Sequence, residues 1–140
     1  MHILINGERL VTDVQSQFAS AYPFLKIEFF KKDSTLKSSV PKQTQVAHNV
    51  KLKEAWVRKE TEGDLLINDV MTVWDLENIF MDRFGLNAQV FRKSGKIWLQ
   101  TSITDRWTLK QQNDMGREIT IGRKADYREE NDYELNRDPD

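Results

Sequence analysis

No cysteine occurs in these 140 residues, so the chain can form no disulfide, bind no zinc through thiolates and offer no thiol nucleophile; it suits a reducing compartment. Only two histidines are present, His2 and His48, and neither has a partner at the spacing of a metal site or a catalytic triad. No apolar run approaches the roughly 18 to 20 residues that span a bilayer, and the first residues lack the basic start and apolar core of a secretion signal. A soluble, cytoplasmic protein is expected. The chain also lacks a glycine-rich phosphate loop, a dinucleotide-binding fingerprint and an HExxH pair. No catalytic residue, cofactor or metal is therefore assigned, and the balance leans against an enzyme.

The formal charge is only -1, which points to neither nucleic acid nor membrane as an obligatory partner. Its distribution is less even. Six lysines (31, 32, 37, 42, 51 and 53) stand against Asp33 alone in one block, which reads as a basic linker over 33–48. Residues 117–140 carry five basic and eight acidic groups, 5 − 8 = −3, and read as a charged, largely disordered tail. With 39% hydrophobic residues, the remaining 1–116 suffices for one small domain with a real core.

The clearest pattern runs from Met71 to Thr101. Thr72 and Asp75 are spaced as a capping box, Val73, Leu76, Phe80 and Phe84 fall on one helical stripe, and Gly85 can end the helix in a left-handed turn. Two β-rich segments follow around Ser94-Gly95, predicting a hairpin in which Lys93 faces Lys96 and Phe91 faces Trp98. A fainter copy precedes it. Shifting by 62 sets Leu4-Ile5-Asn6 on Leu66-Ile67-Asn68, Val11 on Val73, Asp13 on Asp75 and Phe18 on Phe80, so segments 3–32 and 65–94 each read as strand, helix, strand. The same shift sets Phe29 on Phe91 and Lys31 on Lys93, whereas a one-residue insertion near Asn87 aligns Ile27 with Val90 instead.

Between the copies, Asn49 can cap a short helix through Leu52, Ala55 and Trp56; after the hairpin, Thr108 and Gln111 cap another that Gly116 would end. The expected fold class is α+β: internally duplicated βαβ units forming one sheet of about five strands with helices packed on it, a ferredoxin-like arrangement or a mixed sheet with parallel crossovers.

The hairpin offers the main candidate site. Ala88, Val90, Ile97 and Leu99 make a core face, which leaves Phe91 and Trp98 on the other side beside Gln89, Gln100, Lys93 and Lys96. Aromatics ringed by lysine and glutamine are the composition of a binding surface, and the expected partner is another protein or a second copy of this chain. Single-stranded nucleic acid is the alternative, through base stacking and the basic linker. The plainer alternative is that another element covers this face and makes it core. An enzyme with an unrecognised site is the third reading, with Asp105 and Arg106, in the loop after the hairpin, as its first candidates; Asp105 is equally suited to organising a turn.

Over residues 84–113, FGLNAQVFRKSGKIWLQTSITDRWTLKQQN, the chain resembles small uncharacterised proteins of Bacteroidota-type bacteria that share an FGL…VFRKSG…W…TD.WTL..QN run. The resemblance covers residues 71–116, and the first copy loosely. It implies bacterial kinship and brings no activity, cofactor or catalytic residue with it.

Overall fold

A capping side chain, a stripe of apolar residues and a terminal glycine define the central helix, α2 (Val73–Phe84). Thr72 Oγ1 accepts the backbone N–H of Asp75 at 3.0 Å, Asp75 Oδ2 accepts that of Thr72 at 3.2 Å, and Gly85 closes the helix with a left-handed φ of 65°. Val73, Leu76, Phe80 and Phe84 are all fully buried, as their spacing predicts. The computed structural model describes residues 1–33, 42–58 and 61–122. Around α2 it places β1 (His2–Ile5), α1 (Val11–Ala21), β2 (Leu25–Asp33), β3 (Lys42–Gln45), a 3-10 turn (Leu52–Ala55), β4 (Gly63–Leu66), β5 (Asn87–Ser94), β6 (Ile97–Gln100) and α3 (Leu109–Ile121).

The protein is α+β, with its strands divided between two antiparallel sheets instead of the single sheet of about five expected. β1 pairs only with β4; β3, β2, β5 and β6 form the second sheet in that order. Among the described residues neither a ferredoxin-like sheet nor a parallel crossover is formed. The reason is that like pairs with like across the two halves: β1 with β4 and β2 with β5, so no strand-helix-strand segment closes a sheet on itself.

The register shows how closely the halves correspond. In the small sheet Ile3 lies opposite Leu65, the residue 62 positions on. In the large sheet Ile27 lies opposite Val90, 63 positions on, the pair that a one-residue insertion near Asn87 sets together, whereas Phe29 lies opposite Ala88 and Lys31 opposite Thr44. Phe29 is fully buried while Phe91 is half-buried on the other face. Local geometry repeats too. Asn6 Oδ1 accepts the N–H groups of Glu8 and Arg9, and Asn68 Oδ1 those of Val70 and Met71, all at 3.0 to 3.1 Å. Asp13 and Asp75 each accept the backbone N–H three residues before them.

One core fills the space between helices and sheets: Val14 and Phe18 of α1, Leu76 and Phe80 of α2, and Leu109 of α3 join Ile3, Leu65, Ile27, Phe29 and Val90. The Phe29 and Phe80 rings meet edge to face at 5.5 Å. Three expectations need correction. Trp56 ends only a 3-10 turn, because Leu52 and Ala55 alone are buried there and Lys53 and Glu54 point to water. β3 occupies part of the expected linker and pairs with the end of β2; residues 34–41 lie outside those described. Gly116 does not stop α3, which runs on to Ile121. A Cβ at Gly116 would stand 3.0 Å from Phe24 Cβ and from Arg92 Cγ, so this glycine lets the helix approach the sheet. The expected disordered tail is thus helical through Ile121, and 123–140 lie outside the described residues.

Candidate functional site

Two surfaces of the larger sheet combine chemistry that its fold does not require. The first is its outer face. The hairpin turns at Gly95-Lys96, one residue later than expected, because Gly95 takes the left-handed conformation (φ 65°) and its N–H is held by Thr120 Oγ1 of α3 at 3.2 Å. Lys93 therefore faces Trp98, Phe91 faces Gln100, and Lys96 lies in the turn. The pairing moves by two residues, which keeps the alternation of faces. Ile97 and Leu99, expected to join Ala88 and Val90 in the core, are instead 59% and 40% exposed, because β6 pairs beyond the end of the core, opposite Arg92 and Ser94.

Phe91, Lys93, Trp98, Gln89 and Gln100 share that face, joined by Lys26 and Phe30 from β2. The Lys26 ammonium lies 5.6 Å from the Phe91 ring centre and 5.0 Å from that of Trp98, and Lys93 lies 5.9 Å from Trp98. Phe30 packs 6.3 Å from Phe91, and Gln100 Nε2 donates to Gln89 Oε1 at 2.9 Å. Between Lys26 and Phe30 on the same face, Glu28 is buried, where it receives Gln15 Nε2 at 3.0 Å and lies 3.5 Å from Lys26 Nζ and 3.3 Å from His48 Nε2. The buried apolar residues of all three helices belong to the core on the opposite side. Gln15 and His48 cover the outer face at Glu28, while Phe91 and Trp98 stay half-buried, with Phe30 and the Lys26 and Lys93 side chains against their rings.

The second surface is a cleft of about 360 Å³ between α2 and β5, and it contains one of the two loop candidates. β6 pairs only with residues 91–94 of β5, leaving the edge at 87–90 without a strand opposite. Glu77 of α2 fills part of the gap: its Oε2 accepts the Val90 N–H at 2.9 Å, and Thr101 Oγ1 donates to the Val90 carbonyl at 2.8 Å. Burial pushes the Glu77 carboxyl up to about 7; the Val90 N–H opposes that shift and the nearby Asp105 charge adds to it. Asp105 arrives because its loop is tied to the start of α2, where its carbonyl accepts the Trp74 N–H at 2.8 Å and that of Trp107 accepts the Val73 N–H at 3.2 Å. Arg106 points elsewhere, its guanidinium 4.5 Å from the Trp74 ring centre. The two loop candidates are thus separated in role.

Lys26 and Glu77 went unread in the sequence. Lys26 alternates with buried residues like any outward strand residue, and Glu77 flanks the helical stripe like any solvated helix residue. Only the end of β6 at Gln100 gives Glu77 its backbone partner, and no residue pattern announces where a strand stops pairing. Among the described residues, no group of three or more acidic or histidine side chains is placed to hold a metal ion, and no helix is long and apolar enough to cross a membrane. No protein-family model matches the chain, and no curated protein or solved structure matches it significantly.

Proposed function

We propose that the protein is a non-catalytic binding module that presents the outer face of its larger sheet to another protein, a second copy of itself being one such partner. One observation carries the reading: Phe91 and Trp98 lie half-buried on the same sheet face, with Lys26 against both rings and the only described cover of that face at Glu28. Aromatic residues of this kind, with lysine stems extending their apolar surface, supply most of the energy of protein interfaces. Single-stranded nucleic acid is a weaker fit, since Lys26 and Lys93 already lie against the rings on which bases would stack.

Duplication of an ancestral strand-helix-strand segment is part of the same proposal, supported by the opposed pairs Ile3/Leu65 and Ile27/Val90 and by the repeated asparagine turns. So are kinship with the Bacteroidota-type proteins that share the FGL…VFRKSG run and residence in the cytoplasm.

Capture from source cells with a tagged copy, run in parallel with Trp98→Thr at low and high salt, tests the binding face. Threonine is preferred to lysine at 98, which would crowd a third ammonium beside Lys26 and Lys93. A partner retained at high salt and lost in Trp98→Thr is expected. Material released steeply by salt and by nuclease would replace the protein reading with the nucleic-acid one.

A further inference from the structure

The two edges of the larger sheet differ in kind. β3, at one edge, reads Lys-Gln-Thr-Gln and is polar throughout; β6, at the other, reads Ile-Trp-Leu-Gln and contains neither a charge nor a proline. Edge strands of folded proteins are blunted by charged residues, by proline or by a bulge, and β6 has none of these along its regular pairing with β5. Its Ile97, Leu99 and Gln100 are exposed to solvent.

The same edge carries backbone groups. Lys93, opposite Trp98, donates its N–H to the Phe24 carbonyl at 2.9 Å, on the side of β5 away from β6. Lys93 and Trp98 are therefore a non-hydrogen-bonded pair, in which both residues turn their backbone groups outward. The Trp98 N–H and carbonyl face the open edge, and so do those of Gln100 two residues on. No described residue bonds any of these four groups. The sequence around them is also a palindrome in residue type: Lys96-Ile97-Trp98-Leu99-Gln100 runs polar, apolar, aromatic, apolar, polar. Such a strand complements a second copy of itself run antiparallel. Centring the pairing on Trp98 gives two reciprocal N–H to carbonyl bonds between the tryptophans, and sets Ile97 of each copy opposite Leu99 of the other. Lysine then meets glutamine, so no like charges oppose. Centring it on Leu99 would instead set Ile97 opposite Thr101, which is buried and bonded to the Val90 carbonyl.

We propose that β6 pairs antiparallel with β6 of a second copy of this chain, joining the two larger sheets edge to edge about Trp98. The pairing uses up both apolar edges and leaves only the polar β3 edges outward. It stands on the sheet's edge, independently of what the outer face binds. The two outer faces become one surface with the paired Trp98 rings at its centre. A strand this short makes a small interface, so the dimer is weak and forms as the protein concentration rises.

Sedimentation of the full chain between about 10 µM and about 1 mM should show a mean mass that rises toward two copies. Gln100→Pro removes only an outward N–H and leaves the ladder between β5 and β6 in place, and Ile97→Lys charges a side chain that is already exposed. Each should weaken association at least tenfold, with its fold checked by ¹H–¹⁵N spectra. Because the chain has no cysteine, substituted cysteines report the register without background. Mixed under mild oxidation, Ile97→Cys and Leu99→Cys chains should form the mixed disulfide at least fivefold faster than either forms its own, since the pairing sets these two positions opposite each other. Every variant keeps Trp98, so this test can fail while the outer face still captures its partner, and the reverse. A mass that stays at one copy throughout, unchanged association in both folded variants, or a mixed disulfide no faster than the others would overturn the proposal.

Discussion

Replacing Glu77 by glutamine should make the protein more stable at pH 8 and leave it unchanged near pH 5. In the folded chain the carboxyl is pushed from 4.5 up to about 7, chiefly by burial. The folded state thus holds a proton that the unfolded chain has released between about pH 4.5 and 7, so stability falls as pH rises through that window and stays lowered above it. The full displacement from 4.5 to about 7 corresponds to about 3 kcal/mol. Because Glu77 is only half-buried, solvent screening brings the expected effect to about 1–2 kcal/mol. Glutamine matches the shape and still accepts the Val90 N–H, so the variant isolates the charge. Urea melts of both proteins at constant ionic strength measure it: a stabilisation of about 1–2 kcal/mol at pH 8 and near zero at pH 5. A stabilisation of the same size at both pH values, or a less stable variant at pH 8, would refute the reasoning.

Phe80→Ala, which empties a fully buried site against Phe29 and Phe84, should cost about 3–5 kcal/mol in the same melts, and a cost under about 1 would mean the ring is not in the core. Gly116→Ala gains about 1 kcal/mol of helix propensity but must fit a Cβ 3.0 Å from Phe24 and Arg92, so a net loss of about 1–2 kcal/mol is expected and a raised melting midpoint would contradict it. Trp98→Thr should cost no more than about 1–2 kcal/mol, since it removes a half-buried ring and its contacts with Lys26 and Lys93; global unfolding would make this face core. With Trp56, Trp74 and Trp107 changed to Phe, the remaining Trp98 fluorescence should be quenched readily by acrylamide, and shielding in a monomer would count against the open face.

Where local rules decide, the sequence was legible. The Thr72–Asp75 box, the four-residue stripe of α2 and the Thr108–Gln111 box all act within a few residues of themselves and all form as spaced. The outer face was legible for the same reason, because strand alternation survives even a two-residue error in the hairpin register. What failed depends on distant partners. Gly116 looks like a stop signal until Phe24 and Arg92 are seen pressing on it, and the second sheet could not be foreseen because β1 and β4, about sixty residues apart, choose each other. Asp105 was placed in a loop, yet its companion Glu77 emerges only when the loop folds over the start of α2.

Photo-crosslinking in source cells tests the binding face most directly. Benzoylphenylalanine at Gln100, exposed on the outer face, is compared with the same group at Leu66, which is 51% exposed on the smaller sheet. The account predicts a discrete protein adduct from position 100, suppressed by Trp98→Thr, and none from position 66. Equal adducts from both positions, or none from position 100, would contradict it.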